Sequence, residues 1–189
     1  MARVVAEGTP AVRISFSPPH RPLTQFDPTL FKELPETYAL LSTANFVIHE
    51  SVERVTLHGS RGPRGFAHPD SDLDLALVVG PTYISEAPNK ADFFHEVLVT
   101  TLRNWQSRIE IDLAAVFDRK QCGLKCLDKR VFNPSLCPTT VDCMGIYKIR
   151  DGRAEPVSGA MLDCSKMYPL MTIWEKGKQG TNYLKRNVQ

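Results

Sequence analysis

Polar and apolar residues alternate most clearly in the stretch Asp72-Leu73-Asp74-Leu75-Ala76-Leu77-Val78-Val79. Side chains on a strand point alternately to its two faces, so Asp72 and Asp74 share one face and the three leucines share the other. The leucine face predicts a strand that lies against a core. The apolar run from Arg54 to His58 predicts a preceding strand, which ends at Gly59-Ser60.

Two other stretches carry apolar residues at helical spacing. Thr29–Glu53 predicts a helix that Pro35 interrupts or restarts, and Asn89–Arg108 contains a second helix with Asn89 as its cap. The run Ile109–Phe117 predicts a third strand. The order helix, strand, strand, helix, strand predicts an α+β fold, in which helices pack on one side of a mixed sheet.

The two ends of the chain have a less regular pattern. Arg3–Ser17 predicts a hairpin, and Pro18–Pro28 predicts a proline-rich loop. Val141–Ala160 predicts a second hairpin with Asp151-Gly152 in a type I′ turn. The predicted divisions are an N-terminal arm at residues 1–28, a core at residues 29–118, and an irregular, hairpin-containing C-terminal extension at residues 119–189.

Composition narrows the class of protein. The chain of 189 residues is 42% hydrophobic and 23% charged, which is typical of a globular protein with one core. Its net charge of +2 is too small to indicate a nucleic-acid partner by itself. No apolar run approaches the roughly 18 residues that cross a bilayer, and the first residues lack the apolar centre of a signal peptide. We therefore expect a cytoplasmic protein with no membrane partner.

The cysteines are predicted to be reduced thiols rather than disulfides or zinc ligands. An odd number of cysteines without a signal peptide predicts reduced thiols, and their spacing is not that of the usual zinc sites. The five are Cys122, Cys126, Cys137, Cys143 and Cys164.

The two carboxylates on one strand face carry the main chemical signal. Neighbouring carboxylates repel each other unless a cation lies between them, and Mg²⁺ prefers oxygen ligands. Gly59 lets a phosphate approach the backbone, and Ser60 supplies a hydroxyl and an N–H at the predicted start of a short helix. Arg61 follows and can pair with phosphate oxygens. The simpler interpretations are a solvent-facing strand edge, a routine turn and a solvated loop arginine.

The motif as a whole is Leu57-His58-Gly59-Ser60, eleven intervening residues, and Asp72-Leu73-Asp74-Leu75. It resembles the signature of the DNA polymerase beta-like nucleotidyltransferase superfamily, and is most similar to the small prokaryotic members called minimal nucleotidyltransferases. The resemblance covers roughly residues 29 to 118 and implies a nucleotidyltransferase fold for that core.

The resemblance also implies roles for particular residues. Asp72, Asp74 and a third acid would be catalytic and would bind two Mg²⁺ ions, with Mn²⁺ as a substitute. Asp112 matches the third acid in order and context, and Glu110 on the same strand face is the alternative. Gly59 and Ser60 would hold the β- and γ-phosphates, and we place Arg61 with them as a nucleotide-binding residue.

The implied activity is transfer of a nucleoside monophosphate, with AMP from ATP favoured, to a hydroxyl of an unknown acceptor. That acceptor is a protein, an RNA or a small molecule, and a version specific to minimal members is an antitoxin that modifies a partner toxin. A nucleic-acid partner is not favoured, because the basic residues after Asp118 are first interpreted as a solvated face. The alternative is a non-catalytic nucleotide-binding or regulatory protein that acts through protein contacts.

Overall fold

The computed structural model describes residues 20–129, 131, 133, 135, 143–157 and 168–178. In chain order the strands and helices are β1 (His20–Pro22), α1 (Pro28–Glu33), α2 (Pro35–Thr43), β2 (Val47–His49), β3 (Val52–His58), β4 (Leu73–Val79), α3 (Pro81–Glu86), α4 (Lys90–Asn104), β5 (Ile111–Asp118), β6 (Met144–Arg150), β7 (Arg153–Pro156) and β8 (Met171–Glu175). A short 3₁₀ turn at Lys125–Asp128 lies between β5 and β6.

Six strands form one mixed sheet in the order β7-β6-β5-β4-β3-β8. The pair β4–β5 is parallel, and the other neighbouring pairs are antiparallel. Strands β1 and β2 form a separate two-stranded ribbon. The predicted α+β fold with a mixed sheet is therefore confirmed at this level.

The leucine face of β4 lies in the main core, as the alternation predicts. The side chains of Leu73, Leu75 and Leu77 are completely buried, in one cluster with Phe94 and Leu98 of α4. Helices α1, α2 and α3 each contribute a buried residue to the same cluster, so the helices cover this side of the sheet.

The other face of the sheet is also covered over part of its length. Ala76 and Val78 of β4 are buried there in a second cluster. Leu124 and Leu127, from the segment that contains the 3₁₀ turn, pack in the same cluster. Asp72, just before β4, and Asp74, near its beginning, share the direction of Ala76 and Val78, so they lie beyond the rim of this second cluster.

Helix α4 begins as predicted. The side chain of Asn89 accepts hydrogen bonds from the backbone N–H groups of Ala91 (3.0 Å) and Asp92 (3.4 Å). These are donors that have no partner within a helix, so the cap stabilises the first turn. Helix α1 ends at Glu33, and Pro35 is the first residue of α2, with Leu34 between the two helices. The prediction that Pro35 interrupts or restarts the helix is therefore confirmed.

The predicted helix over Thr29–Glu53 is wrong in its second half. Helix α2 ends at Thr43, and the apolar run that follows forms β2 and the beginning of β3. Asn45 has a φ of +52°, which a right-handed helix cannot contain. The β-branched residues Val47 and Ile48 then favour a strand, and they are buried against the core.

The ribbon of β1 and β2 corrects a second prediction. His20–Pro22 lies in the stretch predicted as a loop, but it pairs with β2 in the register Arg21↔Ile48. Leu23 and Phe26, which follow, are buried in the main core. The hairpin predicted at Arg3–Ser17 lies outside the described residues.

The predicted type I′ hairpin is confirmed. Strands β6 and β7 are joined by Asp151 and Gly152, whose φ values of +48° and +75° are those that this turn requires. Strand β6 pairs with β5, and β8 pairs with β3, so the strands after residue 118 extend the same sheet at both of its edges. The division of the chain at residue 118 stays a prediction. Within the described residues, no helix is both long and apolar enough to cross a membrane.

Candidate active site

The register of the strands brings Asp74 and Asp112 together. Asp74 lies directly across from Asp112 on the parallel pair β4–β5, and directly across from His58 on the antiparallel pair β3–β4. Opposite residues on neighbouring strands project to the same face, and the strands lie about 5 Å apart. Two carboxylates and an imidazole therefore share one face at the end of the sheet where β4 and β5 begin.

Asp72 lies one residue before β4 and is exposed. The backbone N–H of Leu73 donates to the carbonyl of Glu110 at 2.9 Å, which ties the beginning of β4 to the beginning of β5. Glu110, the alternative third acid, is exposed and precedes β5, whereas Asp112 lies within β5 across from Asp74. The structure therefore favours Asp112 as the neighbour of Asp74.

Gly59 makes room for the carboxylate of Asp74. Its φ of +71° is in the left-handed region, which glycine adopts without strain. A Cβ atom at this position would overlap the carboxylate of Asp74. The bend after β3 thus requires glycine for its conformation and again for the approach of the acid.

Negative charge is crowded at Asp74. Burial, and after it the carboxylates of Asp72 and Asp112, raise the pKa of Asp74 from 3.8 to about 6, and the ammonium of Lys148 opposes them. A carboxylate that is crowded by other carboxylates is stabilised in its charged form by a cation. The electrostatics of this face therefore favour the binding of a positive group.

Lys148 supplies one such group. Its Nζ donates to both carboxylate oxygens of Asp112, at 2.7 Å each. Lys148 comes from β6, which pairs with β5, so the interaction crosses two neighbouring strands of the sheet. The side chains are 37% and 42% exposed, so this ion pair is partly shielded from solvent.

His58 lies among the same charges. Burial lowers the pKa of His58 from 6.5, and although Asp112 and Asp72 oppose this effect, Lys148 adds to it. The imidazole is therefore neutral at pH 7, and it can accept or donate a hydrogen bond beside the acids.

Arg61 uses its guanidinium to hold the loop that leads to Asp72. Nε donates to the carbonyl of Ser71 at 2.6 Å, and Nη2 donates to the carbonyls of His68 (3.2 Å) and Pro69 (2.9 Å). The hydroxyl of Thr37 in turn donates to the carbonyl of Arg61 at 2.8 Å. Arg61 thus fixes the backbone next to Asp72, and its predicted contact with phosphate stays a prediction.

The short helix expected at Ser60 is replaced by two turns. The N–H of Gly62 donates to the carbonyl of Gly59 at 3.2 Å, and the N–H of Gly65 donates to the carbonyl of Gly62 at 3.0 Å. Gly59 and Gly65 both have a φ of +71°, which interrupts any right-handed helix. Without a helix, any favourable effect of Ser60 on an anion comes from local N–H and hydroxyl groups.

The residues fit one divalent cation better than two. Within the part of the chain that the structure describes, no group of three or more His, Cys, Asp or Glu side chains is arranged to hold a metal ion. Lys148 engages both oxygens of Asp112, which leaves Asp72 and Asp74 as the acids that could hold a metal. Asp72 and Asp74 supply the hard oxygen ligands that Mg²⁺ or Mn²⁺ takes. Burial and neighbouring carboxylates raise the pKa of Asp74, and a bound cation would stabilise its charged form.

Two cavities in the described part of the chain lie away from the acids. Two adjoining cavities of about 540 and 620 Å³ lie at the opposite end of the parallel strands, and none of the three acids is among the residues that line them. The residues common to both linings are Pro81, Ser85, Asp118 and Gln121. Asp72 is exposed, and Asp74 and Asp112 are partly exposed, on the sheet face.

Sequence reasoning missed two members of this group, Lys148 as a partner and His58 as a neighbour of the acids. The position of His58 can be predicted from the sequence, because an antiparallel β3–β4 pair that turns at Gly59 places His58 near Asp74. The position of Lys148 cannot be predicted in this way, because no local pattern shows that β6 lies beside β5 or in which register it pairs.

Comparison of the chain with protein-family models, with curated proteins and with solved structures gave no significant match.

Proposed function

We propose that this protein is a metal-dependent nucleotidyltransferase, built on a nucleotidyltransferase fold, that transfers a nucleoside monophosphate from an NTP to a hydroxyl. One observation carries the proposal: Asp74 lies directly across from Asp112, with its carboxylate against the glycine bend that follows β3. The motif of Gly59-Ser60 and Asp72-Leu73-Asp74, which resembles that superfamily, agrees with this geometry. ATP is the favoured donor, and a protein, an RNA or a small molecule is the acceptor.

Each residue has a role in this proposal. Asp72 and Asp74 hold a divalent cation, Mg²⁺ or Mn²⁺, which would stabilise the charge that grows on the phosphate oxygens. The backbone and hydroxyl of Gly59-Ser60 bind the β- and γ-phosphates, while Arg61 keeps the intervening loop in place. Asp112 accepts a hydrogen bond from the acceptor hydroxyl and orients it.

The reaction is a displacement at the α-phosphorus. The acceptor oxygen forms a bond to the α-phosphorus, the bond from that phosphorus to the bridging oxygen breaks, and pyrophosphate leaves. The proton of the acceptor hydroxyl is released to water. Alignment of acceptor, cation and nucleotide on one rigid sheet face is the main contribution of the protein, because positioning and charge stabilisation dominate phosphoryl chemistry.

The test is transfer of label from [α-³²P]ATP to components of a cell lysate in the presence of Mg²⁺. We expect wild-type protein to label an acceptor and release pyrophosphate, and Asp74→Asn to lose at least about 100-fold of this rate, since it removes a charge that acts on the transition state. Asp70→Asn is the matched control, because Asp70 is an exposed acid of the loop just before the site. Equal labelling by wild type and Asp74→Asn would refute the proposal.

A second candidate is a non-catalytic nucleotide-binding or regulatory protein on the same fold. The observation that favours it is the engagement of Asp112 by Lys148, which leaves fewer ligands for metal. Metal-dependent binding of ATP without label transfer to any component of the lysate would support this candidate over the first. Under it, the protein would act through contacts with a partner protein, such as a toxin.

A further inference from the structure

Lys148 already supplies a positive charge to Asp112, the third acid of the proposed site. The ammonium lies 2.7 Å from both oxygens of the carboxylate, so it already takes the bidentate position that a cation would need. Lysine is a compact point charge, and it can stand in for a metal charge at one carboxylate. The contact lies on the same face as Asp74, because Asp74 and Asp112 are opposite each other.

The strands fix the origin of this lysine. In the β5–β6 register Ala115 pairs with Tyr147, so Lys148 projects to the same face as the even-numbered residues of β5, including Asp112. Tyr147, the next residue, projects the opposite way and stacks on Phe94 of α4, with ring centroids 4.3 Å apart. The stacked tyrosine anchors β6, so Lys148 is presented from a fixed strand.

The ion pair divides the three acids into two groups. Lys148 takes Asp112, the third acid, as its partner at 2.7 Å. Asp72 and Asp74 are then the two carboxylates that a single hard cation would bind.

We propose that Lys148 replaces the second metal ion of the site, so that one divalent cation binds at Asp72 and Asp74 while the lysine ammonium holds Asp112. This inference rests on the proposed nucleotidyl transfer, and it names the number of ions that the site uses. Lys148 is a positioning residue here: it neutralises Asp112 and keeps that carboxylate facing Asp74.

Counting ions in the complex tests the inference. Wild type and Lys148→Met are dialysed to equilibrium with Mn²⁺ and a non-hydrolysable ATP analogue, and bound Mn²⁺ per bound nucleotide is measured. We expect a ratio of one for wild type and a ratio of two for Lys148→Met, because the methionine frees both oxygens of Asp112. Lys148→Arg should restore the ratio of one, and Lys90→Met, an exposed lysine outside the site, should leave it unchanged.

The outcomes separate this inference from the proposed function. A ratio of two in wild type overturns the role of Lys148 and leaves nucleotidyl transfer standing, and so does a ratio of one in Lys148→Met. Lack of metal-dependent nucleotide binding in wild type contradicts both. If Lys148→Met does not fold, Lys148→Gln replaces it, and the wild-type ratio alone still decides whether a second ion is present.

Discussion

Neutralising Asp74 should stabilise the metal-free protein even though it removes a residue proposed to bind metal. The change is Asp74→Asn, which keeps the shape of the side chain against Gly59 and removes its charge. Burial and two neighbouring carboxylates disfavour that charge in the folded state, since they raise the pKa of Asp74 from 3.8 to about 6. The gain should therefore be visible only where Asp74 is ionised.

The magnitude follows from linkage between protonation and folding. A difference of about two pKa units corresponds to about 3 kcal/mol, because each unit is worth about 1.4 kcal/mol. Solvent screens a half-buried carboxylate, so we expect a gain of about 1 kcal/mol in the free energy of unfolding. For a chain of this size that corresponds to a rise of about 2–4 °C in Tm.

The sign of the pH dependence is fixed by the direction of the shift. The folded state holds the proton of Asp74 more tightly than the unfolded state, so the contribution of Asp74 to wild-type stability is highest below pH 3.8 and falls as the pH rises to about 6. The gap between Asp74→Asn and wild type should be near zero below pH 4 and full above pH 6. Above that range it should not widen further.

The assay is urea unfolding in EDTA at several pH values, with Asp70→Asn as the control for loss of one exposed acid from the same loop. Addition of Mg²⁺ should then stabilise wild type more than Asp74→Asn, which narrows or reverses the gap. An equal gap at pH 4 and pH 8, or an equal gain in Asp70→Asn, would refute the reasoning.

Three further substitutions test the structure around the site. Gly59→Ala should lower the free energy of unfolding in urea by at least about 1 kcal/mol more than Gly65→Ala. Both positions have a φ of +71°, but only a Cβ at position 59 would overlap the carboxylate of Asp74. A matching loss at both positions would contradict the close contact. Arg61→Ala should lower the free energy of unfolding by about 1–3 kcal/mol and speed amide hydrogen exchange in the loop before Asp72, whereas Arg64→Ala, at an exposed position, should do neither. Unchanged hydrogen exchange in Arg61→Ala would contradict the role of Arg61 in holding that loop. Phe94→Ala should cost about 3–5 kcal/mol by the same unfolding measurement, because Phe94 is completely buried in the core, and a loss below 1 kcal/mol would show that α4 is packed otherwise.

Local chemistry explains the parts of the fold that the sequence predicts. The leucine alternation of β4, the Asn89 cap and the Asp151-Gly152 turn each act through residues within a few positions of one another. Such features can be predicted correctly without knowledge of the rest of the chain. The bend at Gly59 belongs to this class as well.

Long-range pairing explains the parts that it does not. The apolar run after Asn45 suits a helix and a strand equally by periodicity, and the outcome depends on pairing with His20–Pro22. Lys148 reaches Asp112 across 36 residues of sequence, through a strand pair whose register depends on the whole sheet. The motif itself contains Asp72 and Asp74, and the resemblance points to Asp112 with Glu110 as the alternative, whereas no sequence pattern points to the lysine that holds Asp112.

The most direct test of the central claim is calorimetric titration of a non-hydrolysable ATP analogue into the protein, with and without Mg²⁺. The account predicts Mg²⁺-dependent binding to wild type and to Asp70→Asn, and affinity at least about 10-fold weaker for Asp74→Asn, a difference of about 1.4 kcal/mol. Because Asp74→Asn is predicted to be the more stable protein, that loss could not be attributed to unfolding. Equal affinity in wild type and Asp74→Asn, or binding that does not depend on Mg²⁺, would contradict the claim that these acids form a metal and nucleotide site.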